Sequence, residues 1–161
     1  LGWPIFVKPA NAGSSVGITK AHDRDELKAA IRLALANDRK VVFEAFVDGH
    51  EVECAVIGSD PAVSTRPGEI LAGAEFYTYD DKYKNGVSQA YTALGCEGLA
   101  RCDFFVEKDT GRVLINEINT FPGFTPISMY PKLMEHEGIP VPALIDRLIA
   151  LALERTEKQH G

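Results

Sequence analysis

Basic charge is scarce in this sequence: 17 Lys and Arg stand against 23 Asp and Glu, for a net charge of -6 and a pI near 5.2. The lysines are scattered, which excludes the basic patch that a nucleic-acid partner requires. Long apolar runs are missing too. The longest, near the C-terminus, is interrupted by Asp146 and Arg147. No secretory signal or membrane span is therefore read, and a cytoplasmic protein without a membrane partner is expected. Cysteine is limited to Cys54, Cys96 and Cys102. Their spacing fits neither a metal site nor a redox pair, and their apolar settings make them core thiols in a reducing compartment. Internal repeats, low-complexity segments and the G-x-x-x-x-G-K-[ST] spacing of a Walker A loop are all absent. There is no initiator Met, and the chain enters a strand almost at once in "LGWPIFVKP", so a piece of something longer is expected. What is present is 161 residues, 45% hydrophobic and 25% charged, enough for a mixed-class domain with a real core.

The patterning predicts a short buried strand over Pro4 to Lys8, the small-residue loop "PANAGSSVG", and a second strand over Val16 to Lys20. A helix follows, capped by Asp23 with Glu26 as the capping-box partner, and its apolar face is Leu27, Ala30, Ile31, Ala34 and Leu35. Strands are read in "KVVFEAFV" and "HEVECAVIG", extended segments around "GEILAGAEFY", and a short helical piece in "VSQAYTALG". After Pro140 a last helix presents Leu144, Ile145, Leu148, Ile149 and Ala152 on one face. The fold class is α+β, an antiparallel-rich sheet with helices packed on it.

Two stretches break the apolar pattern. "VLINEIN" begins as a buried strand yet carries Glu117 and Asn119 two apart, and "ARCDFF" does the same with Arg101 and Asp103. Between them, Asp109, Thr110 and Gly111 fit a three-residue hairpin loop ending in a left-handed residue. Centring the turn on Thr110 sets Asp103 opposite Glu117 and Arg101 opposite Asn119, all on one face. Two facing carboxylates repel unless a cation lies between them. Either Arg101 alone neutralises both as a structural ion pair, or Asp103, Glu117 and Asn119 hold a divalent metal. Such all-oxygen ligands suit Mg2+ or Mn2+, whose shell is usually completed by water and phosphate. A nucleotide is implied.

Other pieces could hold one. "GSSVG", Gly13 to Gly17, is either a phosphate-covering loop or an ordinary hairpin turn. Lys8, in the apolar strand "IFVKP", is an awkward core residue unless its ammonium meets an anion. Glu44 and Glu51 in "FEAFVDGHE" either face an adenosine as acceptors or are solvated strand-end acids. Lys82 and Tyr83 fall in a loop, "YDDKY".

Together, "VKPANAGSSVG", "FEAFVDGHE", "DDKY", "GLARCDFF" and "LINEINTFPGFTPIS" closely resemble the D-alanine-D-alanine ligases of the ATP-grasp superfamily, in matching order from the first residues to "IDRLIALAL". The resemblance implies an ATP-grasp region, with residues to about 58 closing the central ATP-binding subdomain and about 59–161 forming the C-terminal catalytic one. It implies ATP bound through Lys8, the Ser14 and Ser15 loop, Glu44, the backbone at Ala45 and Val47, Glu51 on the ribose, and Lys82 at the transferred phosphate. Two Mg2+ ions would lie on Asp103, Glu117 and Asn119. Arg101 and the Gly123 amide would stabilise the oxyanion, and Ser128 with the Met129 amide would hold the carboxylate of the second of two D-alanines. Ser14 would also help place substrate, and Tyr83 would fasten the closing loop to Ser14, a tyrosine that goes with amine rather than D-lactate nucleophiles. Homodimers are usual among such ligases.

The sequence departs from that family at two places. The family's N-terminal domain and the first part of its central domain have no counterpart ahead of Leu1, so these 161 residues alone are expected to be inactive. "KYKNG" also passes almost directly into "VSQAYTALGC", where the family has a longer loop and the start of a helix, so residues are expected to be missing there.

Overall fold

The computed structural model describes residues 1–13, 15–59, 61–70, 77–78 and 84–160. The chain divides into two compact units, Leu1–Asp48 and Gly49–Gly161. The division falls ten residues before the expected one near 58, because the strand that begins at Gly49 pairs, among the described residues, with strands of the second unit.

In the first unit, β1 (Ile5–Pro9) lies between β2 (Thr19–Ala21) and β3 (Val41–Ala45), all antiparallel. Helix α1 (Arg24–Asn37) packs Ala30 and Ala34 against Val7 and Ala21, with Ile5, Leu27, Ile31 and Val41 around them. Alternation along β1 then turns Phe6 and Lys8 to the other face. Asp23 caps α1 by accepting from the amides of Asp25 and Glu26. Glu26 reaches back to the His22 amide, one residue beyond the expected capping-box partner. Leu35 is 53% exposed and leaves the predicted apolar face. The strand predicted from Val16 starts only at Thr19, because Ser15 and Gly17 both have positive φ and turn the chain there.

The second unit is built on a six-stranded antiparallel sheet ordered β7-β6-β4-β8-β9, with β5 also pairing β4. Its strands are β4 (Gly49–Ile57), β5 (Val63–Ser64), β6 (Gly68–Glu69), β7 (Tyr77–Thr78), β8 (Leu99–Glu107) and β9 (Val113–Asn119). One face carries Val52, Cys54, Val56, Ala100, Cys102, Phe104 and Val106, covered by Val87 and Tyr91 of α2 (Lys84–Ala93). The three cysteines are free, with Cys54 and Cys102 buried, as core thiols should be. Part of the opposite face, Ala55 and Ile57, packs under Tyr130, Leu133 and Met134 of α3 (Met129–His136) and Leu144 of α4 (Val141–His160). Each such side chain stabilises by about 1.5–3 kcal/mol on full burial. Buried hydroxyls are satisfied: Tyr130 donates to the Val56 carbonyl and Tyr91 to that of Gly58.

Three expectations need correction in this unit. Helix α4 buries Leu144 and packs Leu148 and Leu151 beside it, whereas Ile145 and Ile149 are 44% and 54% exposed, so the seam is narrower than five residues. Helix α3 was not predicted, since Pro131 and the preceding Pro-rich loop hide an eight-residue helix. Strand β9 is not buried: among the described residues it is the last strand of the sheet, and its side chains alternate between exposed and half-buried.

Candidate active site

Strand pairing brings three carboxylates into one row. Glu53 of β4 lies opposite Asp103 of β8, which lies opposite Glu117 of β9. Arg101 lies opposite Asn119, as expected. The register that produces this has an unforeseen origin. At the hairpin end the pairs are Val106 with Val113 and Phe104 with Ile115, one residue off the expected register. A β-bulge between Asp103 and Phe104, with Asn116 as the extra residue on β9, restores it at the acids. Gly111 takes the left-handed conformation expected of it, φ +65°.

The acids continue the sheet face that α3 and α4 cover at its other end, and they are deeply set. Asp103 is 3% and Glu53 5% exposed, while Glu117 has a side chain 54% exposed. Arg101 binds Asp103 in fork geometry, Nε to Oδ1 at 2.8 Å and NH2 to Oδ2 at 2.7 Å. Its Nε also lies 3.3 Å from Glu53 Oε1, and NH2 lies 3.9 Å from Glu117. Burial pushes the Glu53 carboxyl up to about 7, with the Asp103 charge adding and Arg101 opposing. Burial also raises Asp103, against the Arg101 hydrogen bonds. Those same bonds raise Arg101 above its ordinary range, so it stays charged. Arg101 is therefore a cation in contact with all three acids, as the ion-pair alternative requires, and the metal alternative stays open beside it.

Two carboxylates and an amide, Asp103, Glu117 and Asn119, are the right donors for Mg2+ or Mn2+. Among the described residues no three His, Cys, Asp or Glu side chains are grouped to hold a metal ion. Asn119 Oδ1 accepts from the Phe121 amide at 3.3 Å. Asp103 keeps lone pairs beyond those that accept from Arg101, so the donor set fits a divalent cation. Glu53 escaped sequence reasoning. Its signal was a carboxylate within the apolar alternation of "HEVECAVIG", but nothing local revealed that β4 pairs with β8.

Residues 120–128 join β9 to α3 and bring Gly123 against Ser128: a Cβ built on Gly123 would stand 2.8 Å from Ser128 Oγ. Ser128 Oγ accepts from the Thr125 amide at 3.0 Å and meets its hydroxyl at 2.8 Å. Ser128 occupies the N-cap of α3 without a side-chain cap bond, and Met129 opens the helix. Such a helix start presents unpaired amides suited to an anion.

In the first unit Lys8 and Glu44 share the face opposite α1, and the Lys8 ammonium lies 2.6 Å from Glu44 Oε1. The awkward strand lysine thus has an anion, supplied by the protein itself. Ser15 is exposed with φ +61° in the turn before β2, and Gly17 is required there, since a Cβ would meet Pro9 and Asn37 at 2.9 Å. Ala45 ends β3 and Val47 follows it. Glu51 is exposed in β4, in the second unit. Ser14, Lys82 and Tyr83 lie outside the described residues.

With these features in place, the sequence model described as D-ala D-ala ligase C-terminus matches residues 1–90 and 84–150. The chain belongs to that family. The D-alanine–D-alanine ligase of Acetivibrio thermocellus is 52% identical over 174 residues, covering 95% of this chain and 46% of that protein. The ligase of Solibacter usitatus is 49% identical, covering 99% and 56%. Among solved structures, the D-alanine-D-alanine ligase from Coxiella burnetii superposes with a TM-score of 0.89 at 38% identity, covering 98% of this chain and 47% of the other. The VanG D-Ala:D-Ser ligase of Enterococcus faecalis gives 0.80 at 36%, covering 94% and 50%. The fold is accordingly the α+β ATP-grasp arrangement. The chain spans about half the length of the curated relatives it matches. The 174-residue alignment exceeds the 161 residues available, and the family model matches in two segments that overlap at residues 84–90. That overlap falls at the start of α2.

Proposed function

We propose that this chain supplies the catalytic region of an ATP-dependent ligase that joins two D-alanines into D-alanyl-D-alanine, through an acyl phosphate, for peptidoglycan precursor synthesis. The observation that carries the reading is the row of Glu53, Asp103 and Glu117 with Arg101, set on the strand that leads through Gly123 to the α3 N-terminus.

The chemistry follows from charge. A carboxylate attacking the γ-phosphate of ATP is anion meeting anion, so positive charge must offset both the approach and the departing ADP. Asp103, Glu117 and Asn119 would hold Mg2+ or Mn2+, which supplies that charge when bound. Lys8, which already grips an anion, would exchange Glu44 for ATP phosphate and release Glu44 to the adenine end. Ser15 would lie over the phosphates, with Ser14 and Lys82 beside it, and Glu51 would meet the ribose. The acyl phosphate is then attacked by the amine of the second D-alanine. Arg101 and the Gly123 amide would stabilise the resulting oxyanion, while Ser128 and the Met129 amide would hold that substrate's carboxylate. Water must stay out while the acyl phosphate exists, which is the role proposed for the loop bearing Tyr83. A cytoplasmic setting agrees with the free cysteines and with the lack, among the described residues, of any helix long and apolar enough to cross a membrane. A second reading, D-serine as nucleophile, is favoured by the likeness to the Enterococcus faecalis structure.

The test is to graft this chain in place of its counterpart in the Acetivibrio thermocellus ligase. Phosphate release is then followed with ATP, Mg2+ and D-alanine, and again with D-serine or D-lactate added. Release that depends on D-alanine and yields the dipeptide is expected. A graft that binds ATP and Mg2+ but ligates only other acids would overturn the substrate assignment.

A further inference from the structure

We propose that Glu53 is a positioning residue for Arg101, keeping the guanidinium in the site when a divalent cation takes Asp103. The inference rests on the cation reading of Asp103 given above.

Glu53 is 5% exposed, and its Oε2 has no hydrogen-bond partner among the described residues. An acceptor oxygen at that depth is open to a donor that turns toward it. The other oxygen, Oε1, lies 3.3 Å from Arg101 Nε, the same nitrogen that donates to Asp103 Oδ1 at 2.8 Å. The guanidinium thus already stands between two carboxylates, held at full strength by one and at longer range by the other.

Asp103 spends both oxygens on Arg101. A divalent cation on its remaining lone pairs would draw charge from those oxygens and weaken both bonds, and the loosened N–H groups then need another acceptor, because a guanidinium has donors only. Glu117 is 3.9 Å away, half exposed, and itself among the expected ligands. Glu53 is closer, buried and has an oxygen to spare. The charge count agrees. Three carboxylates face one guanidinium among the described residues, leaving an excess of negative charge that a divalent cation would offset. Arg101 can then remain beside the cation, where it would serve the oxyanion, instead of being driven out by repulsion.

The experiment uses the grafted ligase described above, labelled with 15N and titrated with Mg2+ alone. Backbone amide shifts at Asp103, Glu117 and Asn119 report the cation, and exchange of the Arg101 Nε proton with water reports its acceptor. In wild type, Mg2+ should move the three amides and leave the Nε proton protected. In Glu53→Met, which removes both acceptor oxygens at similar volume, exchange should match wild type without Mg2+, since Asp103 still accepts. With Mg2+ it should rise about tenfold or more, the loss of one charge-assisted hydrogen bond. Glu53→Gln keeps one acceptor oxygen and should fall between, and it carries the test if the Met variant does not fold. A purely structural Glu53 would alter exchange equally with and without Mg2+. Release of the Nε proton by Mg2+ in wild type, or full protection in Glu53→Met with Mg2+, overturns the proposal. Absence of any shift at the three amides overturns the cation reading and this inference with it.

Discussion

Replacing Arg101 by Met would remove the guanidinium and leave Glu53, Asp103 and Glu117 facing one another across three strands. The pair it breaks is buried and well made, with two bonds of 2.7 and 2.8 Å and side chains 20% and 5% exposed. Stripping one partner from such a pair costs about 3–5 kcal/mol when the other stays charged. The abandoned acid can instead take a proton. From an ordinary value of 3.8 for Asp103, protonation at about 1.4 kcal/mol per pH unit caps the loss near ~2 kcal/mol at pH 5 and sets no useful cap at pH 8. The sign is that of a raised carboxyl: its stabilising contribution is complete below the unfolded-state value and is lost as pH rises through the folded one. Removing Arg101 raises Asp103 and Glu53 further, so the variant should lose about 2 kcal/mol at pH 5 and about 3–5 kcal/mol at pH 8. Hydrogen exchange of the β8 amides, measured without divalent metal at several pH values, reads this in the second unit alone. A loss below about 1 kcal/mol at pH 8, or one equal at both pH values, would refute the reasoning and make the cluster an ordinary solvated one.

Glu117→Gln should weaken Mn2+ binding to the chain, measured by electron paramagnetic resonance, while its melting temperature without metal stays level or rises, because repulsion with Asp103 is relieved. Unchanged Mn2+ affinity would return Glu117 to a structural role. Gly49→Ala puts a Cβ 2.6 Å from the Val106 carbonyl oxygen, a rigid backbone atom. It should destabilise the second unit by about 1–3 kcal/mol in urea unfolding, and a neutral result would mean that β4 can part from β8 at this end. Ser128→Ala in the grafted ligase should raise the KM for the second D-alanine far more than that for ATP, the loss of about 1.5–3 kcal/mol from a bond to an ionised carboxylate. Equal effects on both would leave Ser128 holding only Thr125.

The face that carries Arg101, Asp103, Glu117 and Asn119 was legible in the sequence because its determinants are local. Arg101, Asp103, Glu117 and Asn119 sit on two strands joined by a short turn, so alternation and the Gly111 turn suffice to place them. The register was reached through a turn one residue out and a bulge at Asn116 that compensated for it, and neither leaves a sequence signal. Glu53 was out of reach, since β4 and β8 are some fifty residues apart in the chain and their pairing is decided by tertiary packing rather than pattern. The same cause misassigned Leu35, Ile145 and Ile149. Helical periodicity names an apolar stripe, but the width that is buried depends on the partner surface. The short helix α3 was missed because its first turn contains Pro131, which is acceptable at a helix start yet reads as a breaker in a loop already rich in proline.

The sheet of the second unit follows ordinary rules except along one line. Val52, Cys54 and Val56 alternate inward on β4, and Cys102, Phe104 and Val106 do the same on β8. The intervening positions start as core, Ala55 and Ile57 under α3 and α4. They then become Glu53 and Asp103 without becoming exposed. Apolar residues of similar volume there would fold as well or better, since a buried ion pair seldom outperforms a packed hydrophobic one. An oxygen of Glu53 without a hydrogen-bond partner among the described residues makes the arrangement worse still. A violation of local rules confined to one row, at the point where β9 leaves the sheet for the α3 N-terminus, is the pattern that a functional site produces. It sets a place suited to cations at one end of residues 120–128 and a place suited to anions at the other. A reaction that must neutralise phosphates and also seat a carboxylate needs both.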